Sequence, residues 1–126
     1  MFLLDASALL ALLRDEPGGS SVAQYLSDAT VLSVNLEEVV GTLIREGMPA
    51  AAAEQAVAPL ALPVAPFTEE MAWLSAETGP RLPAGLGLAD RCCLAAAAVL
   101  DAEVVTADLL WQTAAPAFGV GVVLIR

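Results

Sequence analysis

The chain has 126 residues, of which 15 are acidic and 5 basic, for a formal net charge of −10, and it contains neither His nor Lys. A length of this kind suits one domain, spanning 1–126, with a core of its own. The hydrophobic fraction is 58 % and the mean hydropathy +0.73, yet no uninterrupted apolar run reaches the roughly 18 residues of a membrane helix.

Phe2 to Leu4 read as a short apolar strand ending at Asp5, a carboxylate set into the otherwise apolar opening MFLLDASALLALL. No basic leader precedes it, and Asp5 falls where the apolar core of a signal peptide would lie, so a cytoplasmic location is expected. SALLALLRDE reads as a helix stopped by Pro17, Gly18 and Gly19. SSVAQYLSDA follows as a second short helix and TVLSV as a strand. In NLEEVVGTLIREG, Leu36, Val39, Val40, Leu43 and Ile44 recur at helical spacing, and Gly47 closes the helix. The alanine-rich stretch from Pro49 to Pro59 reads as helix, and LPVAPF as a strand that its prolines place at an edge. TEEMAWLSAETG is a helix capped by Thr68, and PRLPAGLG is a loop. LADRCCLAAAAVL is a helix apolar on most sides, in which Cys92 and Cys93 read as small buried hydrophobes. AEVVTAD is a strand ending at Asp108, LLWQTA a short helix and VGVVLIR the last strand. Short apolar strands alternating with helices predict an α/β domain with a central parallel sheet covered on both faces.

Without His or Lys, the chain excludes Ser-His-Asp and Cys-His catalysis, Schiff-base chemistry and a P-loop. Any catalysis must rest on carboxylates, which alone imply a hard cation with oxygen ligands. Open parallel sheets bind ligands beyond the carboxyl ends of their strands. Asp5 and Asp108 each follow an apolar strand, while Glu37, Glu38 and Asp90 lie in first turns of helices that face the same edge. Taken singly, Asp5 or Asp108 would cap the next helix, Asp90 would favour its helix dipole, and Asn35 with Glu38 has capping-box spacing. Taken together, like charges gathered at one rim repel unless a cation holds them.

Four stretches carry a family likeness. LLDASALLALLRDEPG, SVNLEEVVGTL, GLGLADRCCLAAA and VVTADLLW, closed by VGVVLIR, resemble in order and spacing the motifs of PIN domains, in particular VapC-type toxin ribonucleases. The likeness spans essentially the whole chain and implies a PIN-like fold with Asp5, Glu38, Asp90 and Asp108 as the acidic set. On a helical wheel Glu37 flanks the apolar stripe and Glu38 lies nearly opposite it; amphipathicity favours Glu37, the resemblance Glu38.

What the resemblance implies is Mg²⁺- or Mn²⁺-dependent hydrolysis of RNA by a toxin of a toxin–antitoxin pair. The four acids would hold one or two ions, with Ser7 and Thr106 as supporting hydrogen-bond groups. It also implies a homodimer and a VapB-type antitoxin covering the active site. Arg91 and Arg81 are the nearest cations for an RNA contact, and two divalent ions would offset four of the ten excess negative charges. A receiver-type phospho-acceptor is set aside by the missing lysine, and a haloacid-dehalogenase-like phosphatase by DAS where DxD is needed. The alternative kept open is a PIN fold serving as a binding module with weak or no activity.

Overall fold

The computed structural model describes residues 1–126. Its elements are β1 (Phe2–Leu4), α1 (Ala6–Leu13), α2 (Gly19–Val22), β2 (Ala29–Leu32), α3 (Ser33–Arg45), α4 (Ala50–Val57), β3 (Val64–Ala65), α5 (Glu69–Thr78), α6 (Leu88–Leu100), β4 (Glu103–Thr106), α7 (Trp111–Ala114) and β5 (Val122–Leu124). The five strands form one sheet in the order β3-β2-β1-β4-β5, and every neighbouring pair is parallel. Leu4 stands opposite Val31 on one side and Val105 on the other. The order reverses at β1, so the crevice beyond β1 and β4 is the position where such sheets bind ligands. No helix is long and apolar enough to cross a membrane.

Successive strand residues point to opposite faces, and both faces are covered. Leu3, Leu32 and Val104 pack with Met71, Leu94 and Trp111 beneath α5, α6 and α7. Leu4, Val31 and Val105 pack with Leu9, Val39 and Leu43 beneath α1 and α3. Each of these large side chains contributes roughly 1.5–3 kcal/mol by leaving water. In α6, residues Cys92 through Ala97 are all buried, and both cysteines are free thiols. The small alanine side chains admit a close approach of this helix to its neighbours.

Two local expectations change. The segment expected as one helix from Ser20 to Ala29 is α2 followed by a 3₁₀ stretch over Ala23–Asp28. The strand expected through Val34 stops at Leu32, because Ser33 and Val34 already belong to α3. No side chain caps α3, whose N-cap is Leu32. The Asn35–Glu38 capping box therefore does not form; Asn35 is inside the helix rather than before it. Ser33 instead anchors this end, its Oγ accepting from the Phe67 N–H at 3.1 Å. Thr68 does cap α5, accepting from the Met71 N–H at 3.3 Å.

The Pro17-Gly18-Gly19 break is held by close backbone contact. A Cβ on Gly19 would lie 2.2 Å from the Ala11 carbonyl oxygen, and one on Gly18 would lie 2.1 Å from that of Ile125. Gly18 also has φ of 84°, a left-handed conformation that L side chains resist. Gly19→Ala is expected to lower stability by about 1–3 kcal/mol through overpacking against backbone. Denaturant unfolding measures the change, and an unaltered midpoint would contradict the close α1–α2 packing.

Candidate active site at the carboxyl edge of the sheet

Asp5 leaves the end of β1 and is 3 % exposed. It caps α1, its Oδ1 accepting from the Ala8 N–H at 2.8 Å. Ser7 Oγ lies 2.8 and 2.9 Å from the two carboxylate oxygens, and Thr106 Oγ1 donates to Oδ2 at 2.6 Å. Both hydroxyls also accept: Ser7 Oγ from the Ala107 N–H at 2.9 Å and Thr106 Oγ1 from the Asp108 N–H at 3.1 Å. The network ties β1, the start of α1 and the segment after β4 to one carboxylate. Burial raises the Asp5 pKa to about 6, outweighing the lowering by Thr106, Ala8 and Ser7, and the charge of Asp90 adds to the rise.

Asp90 is the third residue of α6 and half-buried. Its Oδ2 accepts from the Gly87 N–H at 2.9 Å. Its pKa is raised chiefly by burial, then lowered by Gly87, raised by Asp108 and lowered by Arg91. Glu38 on α3 is also half-buried, and burial, then Asp90, raise its pKa, while the Asn35 amide lowers it. Asp108 is exposed, with Oδ1 accepting from the Leu110 N–H at 3.0 Å. Below them, the buried Cys93 thiol is pushed well above its ordinary pKa by desolvation first and then by Asp5, Asp90 and Glu38. Asp5, Glu38 and Asp90 are all felt by the Cys93 thiol, and Asp90 is in turn felt by Asp5 and Glu38 and feels Asp108.

Glu37 does not share this edge. It is exposed and lies beside Gly41 and Arg45. The physical reason is the true buried line of α3, which runs through Asn35, Val39 and Leu43, whereas Ile44 is exposed. Glu37 falls nearly opposite that line, and Glu38 flanks it. Arg91 is half-buried next to Asp90, with Nη1 3.4 Å from the Leu86 carbonyl oxygen. Arg81 is exposed at the end of a 3₁₀ turn after α5, and no hydrogen bond or ion pair ties it to the acids.

Asn35 is the residue at this edge that the sequence reading assigned to a cap. It is fully buried, and both Nδ2 and Oδ1 lack a hydrogen-bond partner. Its sequence signal was available: Asn35 occupies the same helical face as Val39 and Leu43, so a polar amide interrupts the buried line.

The donor set fits a hard divalent cation in kind, since every accessible ligand atom is a carboxylate or hydroxyl oxygen. Burial is the first cause of the raised pKa of Asp5, Glu38 and Asp90, and like charge adds to it, from Asp90 on Asp5 and Glu38 and from Asp108 on Asp90, so a cation there would be favoured. The set is open rather than closed. No group of three or more acidic or thiol side chains is placed to hold a metal ion as it stands.

With this geometry in view, the comparisons define the family. Residues 2–115 match the PIN domain, and the chain belongs to that family. PIN domains are generally nucleases and generally use divalent metals. Among solved structures, a toxin–antitoxin complex from Klebsiella pneumoniae is similar in fold, with TM-score 0.78, 15 % identity, and coverage of 100 % of this chain and 98 % of that one. FitAcB from Neisseria gonorrhoeae matches with TM-score 0.76, 21 % identity, and coverage of 99 % and 98 %. VapBC2 from Rickettsia felis, bound to a promoter DNA fragment, matches with TM-score 0.74, 13 % identity, and coverage of 98 % and 97 %. No curated protein matches the sequence significantly.

The raised pKa of Asp5 has a definite sign in folding. A carboxyl whose pKa is about 6 when folded, against 3.8 ordinarily, binds its proton more tightly in the folded state. Its contribution to stability is present at low pH and is lost as pH rises through about 6. In the presence of EDTA, the Asp5 share of this loss between about pH 5 and about pH 7.5 is expected to be about 1–2 kcal/mol. Asp5→Asn should remove that share, making unfolding less pH-dependent by this amount; an unchanged pH dependence would contradict the buried, desolvated carboxyl.

Proposed function

We propose that this PIN domain is a metal-dependent ribonuclease and the toxin component of a toxin–antitoxin pair. The observation that carries the proposal is the position of Asp90. It is electrostatically linked to Asp5, Glu38 and Asp108, so that with Asp90 itself acids from four separate segments meet near the crevice where the strand order reverses. Asp5, Glu38, Asp90 and Asp108 would hold one or two Mg²⁺ or Mn²⁺ ions, directly or through waters. When bound, such an ion supplies a more acidic water and neutralises charge at the scissile phosphate.

The chain's own residues orient this chemistry. Ser7 and Thr106 fix the rotation of the Asp5 carboxylate from two sides and tie it to the loop that carries Asp108. Gly87 holds Asp90 at the positive end of α6. Arg91 is the cation nearest this edge and the candidate contact for RNA phosphate, whereas Arg81 would need a bound RNA to bring it into play. Cleavage of the cell's own RNA would require a cytoplasmic location.

Two apolar features support partners. Leu36 and Val40 of α3, with Ala50, Val57 and Ala58, line a groove of about 360 Å³ against α4, and Ile44 beside it is exposed. A VapB-type antitoxin segment would cover apolar surface of this kind. On another side, Trp73 is 63 % and Leu88 66 % exposed, the latter bordering a groove of about 380 Å³ with Phe67 and Arg91. A homodimer would bury them. Met71 and Trp111 are not available for either role, being core residues.

The open spacing of the acids favours one second reading, a PIN fold that binds a partner with weak or no cleavage. Incubation of the purified protein with a mixed RNA pool separates the two. Cleavage is expected with Mg²⁺ or Mn²⁺, with loss in EDTA and a fall to background in Asp5→Asn and Asp90→Asn. Cleavage that survives chelation or either substitution overturns the metal-nuclease reading. Tight binding of an antitoxin-type peptide with no cleavage under any metal establishes the binding module instead.

A further inference from the structure

Asn35 is the feature of this edge that neither the core nor the acidic set explains. It stands in the first turn of α3, 0 % exposed, on the helical face shared with Val39 and Leu43. Apolar packing would be served equally well there by Leu. A buried amide whose donor and acceptor are both unmet costs about 1–3 kcal/mol for each group. Neither Nδ2 nor Oδ1 has a partner of proper geometry. One turn along, at i+3, is Glu38, at the spacing where helical side chains meet. The amide makes no hydrogen bond to Glu38 in the structure, so its donor is free for a carboxylate one turn away. Glu38 in turn feels the negative charge of Asp90, which opposes a close approach of the two carboxylates while no cation lies between them.

We propose that Asn35 is a positioning residue of the acidic centre, whose Nδ2–H holds the Glu38 carboxylate toward Asp90 when a divalent cation occupies the edge. The inference rests on the metal-centre reading above and names a residue that acts through Glu38 rather than on substrate. The cation removes the repulsion between Glu38 and Asp90, and the inward carboxylate then meets the donor that otherwise lies idle. A neutral amide suits this task. It donates to a carboxylate without adding charge, and an Asp in its place would add another repelling anion to the set. Burial fixes the amide, so the side chain has little rotational freedom left to lose on forming the bond.

The test uses the full chain, Mn²⁺ alone as the probe, and two readouts that a structural role and a positioning role move in opposite directions. Isothermal titration with Mn²⁺ gives affinity, and denaturant unfolding in EDTA gives stability. Asn35→Leu keeps the branching at Cγ, adds some volume and removes both unmet polar atoms, so stability without the ion is expected to stay within about 1 kcal/mol of wild type or to rise. Mn²⁺ affinity is expected to fall about tenfold, as for the loss of a group that orients a metal ligand. Asn35→Ser, polar but too short to reach Glu38, should show the same loss of affinity and covers the case in which the leucine variant fails to fold. In a Glu38→Gln background, Asn35→Ser should produce no further loss.

Lower stability with unchanged Mn²⁺ affinity in both variants overturns the inference and makes Asn35 a structural residue only. An equal loss of affinity in the presence and absence of Glu38 overturns the route through Glu38. Wild-type protein that takes up no Mn²⁺ overturns the metal-centre reading itself and this inference with it, and so is distinct from failure of the Asn35 step alone.

Discussion

The buried Asp5 carboxylate is the constraint on which this edge of the molecule depends. A desolvated anion is tolerable only where donors converge on it. Here they come from Ser7, from the Ala8 backbone and from Thr106, about a hundred residues further along the chain. Satisfying one carboxylate therefore fixes the end of β1, the first turn of α1 and the exit of β4 together. Around that point, α3 and α6 are in contact, although each packs chiefly against a different face of the sheet. The second turn of α3 carries Glu38 and the first turn of α6 carries Asp90, so α3, starting at Ser33, sets the glutamate one turn further in than its expected place.

In these acids a structural role and the proposed functional one coincide rather than compete. Asp5 accepts from Ala8, Asp90 from Gly87 and Asp108 from Leu110, so each completes a backbone turn that would otherwise carry an unmet N–H. An oxygen that accepts one N–H keeps lone pairs for another partner. The bland explanation for each aspartate is thus true, and it does not diminish the electrostatic link among them. Glu38 differs, since no backbone donor holds it; that freedom makes its orientation the variable part of the centre.

Most of the architecture was legible because short apolar strands alternate with helices and both sheet faces are buried. The edge position of β3 followed from Pro63 and Pro66, and Val64–Ala65 pairs on one side only. The errors fall where local signals are weak. The 3₁₀ stretch Ala23–Asp28 has no periodicity to distinguish it from α-helix over so few residues. The start of α3 carries no side-chain cap, so Asn35 was the nearest residue resembling one. The same helix misled the wheel argument between Glu37 and Glu38. Leu36, Val40 and Ile44 are apolar yet lie toward a groove or solvent, while buried Asn35 is polar. A helix whose apolar residues serve two surfaces presents a stripe centred on neither.

The arginines lead to a different kind of consequence. Arg14 pairs with Glu16 and Glu46, Arg126 holds the Pro17 carbonyl, Arg45 reaches Thr42, and Arg91 leans on the Leu86 carbonyl. An RNA strand held by such a surface would displace few counterions, because few cationic side chains are free to neutralise phosphate and each one that does adds about 0.7 to the log–log slope. Binding to this protein would then be nearly indifferent to ionic strength. Attraction over distance would contribute little, and encounter would be governed by contact shape and by the divalent ions at the edge.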